Sequence, residues 1–262
     1  MMGLARNRSL LFQLTRRDIA QRYRSSALGF VWLFVQPLLQ LALYSFVFQV
    51  VLRARWGIQS PAGSEVPFGL LLFIGLILHA LLSETLVRAP GTITAHESYV
   101  KRVIFPIQIL PVINVLAGLF SLGLALGVLL TATVAITGHL SPSAILIILP
   151  IAALTLFTTG LAWMLSALGV YIRDLNQLTP HISTILLFTA PICYPIGMVP
   201  EQFHWLLRIN PLTLPVEISR ELLFENKVDF SGFSTYLALS LAIFIVGRLL
   251  FERLRPGFAD AL

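Results

Sequence analysis

Residues 15–52 read TRRDIAQRYRSSALGFVWLFVQPLLQLALYSFVFQVVL, an arginine-rich opening that turns directly into an uncharged apolar run. Arg16, Arg17, Arg22 and Arg24 stand just before residues 30–52, which hold no acidic or basic side chain. That run exceeds the roughly twenty residues needed to cross hydrocarbon, so it predicts a first membrane span. Arginines beside a first span hold that end in the cytoplasm. Phe12, Ile19 and Tyr23, at spacings of seven and four, share one helix face, and Arg17, Gln21 and Arg24 share the opposite one. The pattern predicts an N-terminal amphipathic helix lying on the membrane surface. A plain basic juxtamembrane tail is the other reading of the same arginines.

Composition widens this to the whole chain. Hydrophobic residues make up 57% of 262 and charged residues 11%, against about 25% charged in a soluble domain. A polytopic, all-α integral membrane protein is expected. The first run is too long for the apolar part of a signal peptide and lacks a small-x-small cleavage pattern, so the N-terminus is expected to be retained. The net charge of +6 comes from arginines clustered beside spans, where topology and anionic lipid account for them, and no nucleic-acid partner is indicated. The single cysteine, Cys193, excludes an internal disulfide and a Cys-rich metal site, and reads as a packing residue.

Further spans follow in order. Residues 53–67, RARWGIQSPAGSEVP, cluster Gly, Pro and Ser as an external loop does, with Trp56 suited to the interface. A second span covers 68–87 and ends at Arg88, Ala89, Pro90 and Gly91. A third runs over 107–136, with Gly118, Gly123 and Gly127 inside it, long enough to tilt or bend. The short turn TGHLSPS, 137–143, makes the fourth span, 144–170, antiparallel to the third. Residues 171–180, YIRDLNQLTP, read as a cytoplasmic loop, a fifth span begins near His181 and reaches Pro191 or Pro195, and a sixth covers 233–250. Pro191, Pro195, Pro200, Pro211 and Pro215 break up the stretch between spans five and six. It predicts two short helices dipping into the outer face as a re-entrant gate, with an external loop on the surface as the alternative. With both termini cytoplasmic, the inner segments hold thirteen of eighteen Lys and Arg residues and the outer ones five, which satisfies the positive-inside rule.

Chemistry is sparse along this chain. A phosphate-binding loop needs Gly-Lys-Ser or Gly-Lys-Thr, and the only lysines, Lys101 and Lys227, lie in neither context, so ATP must be hydrolysed elsewhere. No catalytic triad or metal-ligand spacing occurs, and His79, His96, His139, His181 and His204 are scattered as packing or interface residues. Catalytic residues, bound metal and cofactors of its own are therefore not expected. Glu84 and Arg88 are spaced to pair along one helix face. The first, third, fourth and sixth spans hold essentially none of the mid-span acidic, basic or histidine residues of an ion-coupled carrier. Residues 94–97, Thr-Ala-His-Glu, fit a capping box that opens a short cytoplasmic helix ending before Pro106, with Glu97, Lys101 and Arg102 exposed for a motor protein to grip.

Four motifs in register, RRDIAQRYRSSALGFVWLFVQPLL (16–39), YVKRVIFPIQILP (99–111), YIRDLNQL (171–178), and PICYP (191–195) followed by INPLTLPVE (209–217), give the chain its resemblance. It resembles the membrane permeases of type-2 ABC exporters, in the branch that exports lipid-linked O-antigen, capsule or wall teichoic polymers. The resemblance implies one transmembrane permease domain over residues 1–262, with six transmembrane helices, in a bacterial inner membrane. It implies a homodimer with the pathway between the copies, bound to two copies of a separate ATPase that holds ATP and magnesium. By position it places Arg16, Arg17, Arg22 and Arg24 in an interfacial helix where a lipid phosphate arrives. It places His96, Glu97, Tyr99, Lys101 and Arg102 in an ATPase-coupling helix, and Pro191 to Pro215 in the gate. Channel-lining aromatics would be Phe34, Tyr44, Phe48, Phe188 and Tyr194, for each of which a lipid-facing or core position is the other reading. The implied substrate is a polyprenyl-linked glycan, most nearly an O-antigen. A permease for a drug or small lipid and a membrane-embedded enzyme or scaffold of glycan synthesis are the competing functions, the enzyme disfavoured by the absence of paired carboxylates.

Overall fold

The computed structural model describes residues 7–24, 28–53, 56–58, 65–100 and 105–261, without the side chains of Tyr23 and Val100. Helix α1 is Arg8–Tyr23. Helix α2, Gly29–Val51, opens on a 3-10 turn and ends in a π turn over Phe46–Val51. Helix α3 is Phe68–Arg88, and a 3-10 turn at Thr94–His96 leads into α4, Glu97–Val100. Helix α5 is Ile109–Thr137, α6 is Pro142–Tyr171 and α7 is Leu175–Thr189. Two short helices follow, α8 at His204–Ile209 and α9 at Thr213–Arg220, the latter continuing as a π turn to Glu225. Helix α10, Phe230–Leu254, and α11, Phe258–Ala261, complete the chain, and no strand forms among the described residues.

Helices α2, α3, α5, α6 and the α10–α11 unit are long and apolar enough to cross a membrane. The expected fifth span is different. Helix α7 has 15 residues, which at about 1.5 Å each cover about 22 Å, short of the roughly 30 Å hydrocarbon core. It also starts at Leu175, not near His181, so the expected loop over 171–180 shrinks to Ile172, Arg173 and Asp174. Pro180 lies inside α7 instead of ending it. The compensation is tertiary: Thr179 and Ser183 are buried, Ser183 Oγ donates to Ser83 Oγ at 2.7 Å, and His79 Nε2 donates to the Ser183 carbonyl at 3.0 Å.

A helix apolar on every face either faces lipid or is enclosed by neighbours. Helix α3 is enclosed: Leu70 to Ile74 are fully buried, and α2, α5, α6, α7 and α9 all pack on it. Helix α10 packs mainly on α6, where Gly160 faces the Ile243 and Phe244 backbone and Gly247 faces the Gly160 carbonyl. Small residues permit this backbone-to-backbone approach between membrane helices. The turn after α5 closes on Gly138 in the left-handed region at φ +68°. Gly123 and Gly127 of α5 open onto an apolar groove of about 440 Å³ shared with Phe34 and Leu38 of α2.

Candidate functional site at the two ends of helix α3

At its C-terminal end α3 is tied to α1. Leu10, Leu11 and Leu14 of α1 pack on the apolar cluster around Ile109, Leu110 and Ile113. This corrects the expected face: Leu14, Thr15 and Asp18 turn toward the protein, while Phe12 is 71% exposed. Polar bonds to α3 set that rotation. Asp18 accepts from Arg22 at 2.8 Å and from Arg88 at 3.0 Å, and Glu84 accepts from Arg88 at 3.1 Å and pairs with Arg22. The Glu84–Arg88 pair read from sequence is thus half of a four-charge network, two cations against two carboxylates. Arg22 is held within it, whereas Arg16, Arg17 and Arg24 remain exposed. Arg17 borders a small cavity of about 120 Å³ together with Arg88, His96 and Asn114.

The same end of α3 carries the exposed turn. Thr92 Oγ1 donates to the Arg88 carbonyl at 2.8 Å and accepts from Asn114 Nδ2 at 2.7 Å, which fixes the turn to both α3 and α5. His96 Nδ1 donates to the Thr92 carbonyl at 2.8 Å, and the rings of His96, Tyr99 and Phe105 stack in series at 5.9 and 4.6 Å. Gly169 of α6 lies against the Pro90 backbone, bracing the turn from the other side. Residues 94–98 stay exposed on this support. Thr94 is not the expected cap: Ile93 takes that position, and Thr94 Oγ1 donates back to the Gly91 carbonyl at 3.0 Å. Lys101 and Arg102 lie outside the described residues.

At the N-terminal end of α3, Arg220 of α9 is the residue that sequence reading missed. It is 2% exposed. Its guanidinium donates to the Leu71 carbonyl of α3 at 2.9 Å, to the Ile192 carbonyl at 2.9 Å and to the Pro191 carbonyl just past α7. It pairs with Glu217 at 2.9 Å and lies 4.3 Å from the Trp56 ring centre. The broken end of α7 exposes carbonyls that no helix can satisfy, and a buried charge requires partners. Each need meets the other. Gly75 makes room for Ile192, whose side chain a Cβ there would meet at 2.9 Å.

The prolines occupy distinct positions in this hairpin. Pro191 and Pro215 are buried and Pro200 is exposed. Pro195 and Pro200 precede the 3-10 turns Ile196–Met198 and Glu201–Phe203. Pro211 follows Asn210, whose Nδ2 donates to the Leu186 carbonyl and Thr189 Oγ1, both at 2.8 Å, so the bend between α8 and α9 is tied to α7. Pro215 falls in the first turn of α9, where no amide donor is needed. Beyond α9, Asn226 Oδ1 accepts from Ser141 Oγ at 3.0 Å and from Ser143 N at 3.3 Å, fixing the hairpin to the α5–α6 turn.

The aromatics fall into separate groups. Phe34 borders the apolar groove against α5. Phe48 stacks on Phe68 at 5.0 Å, and Tyr44 is half-buried on the same helix. Tyr194 OH donates to the Phe188 carbonyl at 2.7 Å, while the Phe188 ring is 63% exposed. Within one subunit they do not form one wall. Among the described residues no group of three His, Cys, Asp or Glu side chains could hold a metal.

A buried central helix with an exposed, braced turn at one end and an anchored hairpin at the other, itself one of five helices among the described residues that are long and apolar enough to cross a membrane, defines a polytopic helical membrane protein. The family described as ABC-2 type transporter matches residues 9–224, and the chain belongs to that family as a membrane permease component. It is 27% identical over 256 residues to an O-antigen export system permease protein of Klebsiella pneumoniae, covering 97% of this chain and 95% of that one. The corresponding Myxococcus xanthus protein is 26% identical over 261 residues, covering 97% and 96%. The polysialic acid transport protein of Escherichia coli is 22% identical over 238 residues, covering 90% of each chain.

Proposed function

We propose that this chain is the permease subunit of an exporter that moves a lipid-linked polysaccharide, an O-antigen in the first instance, across the bacterial inner membrane. The observation that carries the reading is near-full-length similarity to two relatives named for O-antigen export and one named for polysialic acid transport. In this reading residues 1–262 form one transmembrane domain with both termini cytoplasmic, and two copies enclose the pathway. Helix α7 with the bend after it serves as the fifth of six crossings, and α8 and α9 form a re-entrant outer gate whose freed backbone groups Arg220 satisfies, as non-helical backbone at membrane depth requires.

Two copies of a separate ATPase grip the exposed turn around His96, Glu97 and Tyr99, with Lys101 and Arg102 beyond it, and pull on α3. Arg16, Arg17 and Arg24 lie free on α1 for a lipid phosphate, while Arg22 is occupied by Asp18 and Glu84. Phe34, Tyr44, Phe48, Phe188 and Tyr194 contribute sugar-stacking surfaces only as the two copies bring their exposed faces together. Deleting the gene tests the reading: lipid-linked polymer accumulates inside and surface glycan is lost. Normal surface glycan with new sensitivity to a drug would instead make the chain a small-molecule permease.

A further inference from the structure

The first span carries two polar side chains that the export reading leaves unused. Gln36 and Gln40 stand one helical turn apart on α2 and both line a cavity of about 260 Å³ between α2, α3 and α5. Ser121 of α5 and the Arg22–Glu84 ion pair line the same space. Both glutamines are exposed at the mouth of this half-open cavity, and among the described residues neither amide meets a hydrogen-bond partner. An amide without a partner in a membrane span is costly, and polar groups converging there mark a pathway.

The chemistry of the lining selects the occupant. Arg22 and Arg88 are each shared between Asp18 and Glu84, so the cations are matched by carboxylates and an incoming phosphate finds no surplus positive charge. Two primary amides, a hydroxyl and a carboxylate offer the mixed donors and acceptors that a ring with several hydroxyl groups requires. Leu33, Pro37 and Ile77 supply an apolar wall for its C–H face. The absence of a side chain at Gly118 keeps the space open, since a Cβ there would stand 3.0 Å from Leu81 and 3.2 Å from the Glu84 carboxylate. The volume lies near the lower end of small-ligand pockets, about 300 Å³, room for one ring and not for a polymer.

We infer that this cavity is a binding site for one neutral sugar residue, inside a single subunit and separate from a path between two copies. The inference rests on the export reading. Benzoylphenylalanine placed at the exposed cavity rim, position 80, and at position 134 of α5 as a control, is irradiated in cells making the glycan. A sugar-containing adduct is expected at position 80 and not at 134. Its lipid mass separates a polyprenyl-linked substrate from a resident glycolipid. The double variant Gln36→Leu, Gln40→Leu loses two hydrogen-bonding amides, and the adduct falls about tenfold; Gly118→Leu, which fills the cavity, lowers it as well. Membrane insertion and thermal unfolding of each variant are measured alongside to show that the fold is kept. A phospholipid-only adduct, no adduct at position 80, or equal labelling in a folded Gln36→Leu, Gln40→Leu variant overturns the site. If the deletion strain keeps its surface glycan, the export reading fails; if surface glycan is lost and only phospholipid is captured, the cavity alone fails.

Discussion

Truncating Arg220 leaves the Leu71, Pro191 and Ile192 carbonyls without their donor and Glu217 without its cation. Breaking a buried pair from one side costs about 3–5 kcal/mol, so Arg220→Met is expected to lower the unfolding free energy of the detergent-solubilised protein by that order. Arg220→Lys recovers only part, because an ammonium cannot reproduce a planar fork directed at several carbonyls. Glu217→Gln costs less, its carboxylate being 34% exposed. Equal unfolding free energies for Arg220→Met and the parent chain would contradict the anchoring role. The i, i+3 spacing of Glu217 and Arg220 was visible in the sequence. The carbonyls at Pro191 and Ile192 were not, because the pairing follows from where a helix breaks 28 to 29 positions away.

Elements long enough to cross a membrane were legible from uncharged apolar length, since hydrocarbon admits little else. The start of helix α7 was not, because Pro180 suggests a helix boundary while burial of Thr179 and Ser183 against α3 carries the helix through it. The rotation of α1 was missed for a related reason: Phe12 and Ile19 suggested a face, but the Asp18–Arg88 contact across 70 residues helps fix another. Asp18→Asn removes one carboxylate and leaves Arg22 and Arg88 sharing Glu84. Protease cleavage within α1 is expected to accelerate, with overall unfolding changed by less than about 1 kcal/mol for a part-exposed pair. Unaltered cleavage would show that the leucines alone hold α1. At the α6–α10 crossing, Gly247→Leu places a side chain against the Gly160 carbonyl. Overpacking of this kind costs about 1–3 kcal/mol or more, read as a lowered melting temperature, whereas Gly123→Leu, in open space, leaves it near the parent value.

At the scale of the whole molecule, α3 joins the exposed turn at its C-terminal end to the Arg220-anchored hairpin at its N-terminal end. One buried helix therefore connects the turn that precedes Glu97 with the hairpin. The family and the membrane architecture could be read from motifs and composition, whereas this connection depends on contacts between distant segments. The central claim is movement of lipid-linked glycan, separate from its synthesis. In spheroplasts whose supply of this chain is shut off, the fraction of lipid-linked glycan oxidised by impermeant periodate is followed against the total. The accessible fraction is expected to fall while the total holds or rises, and restoring the chain is expected to reverse the change. An accessible fraction that stays constant, or a total that falls in step with it, would contradict export as the function.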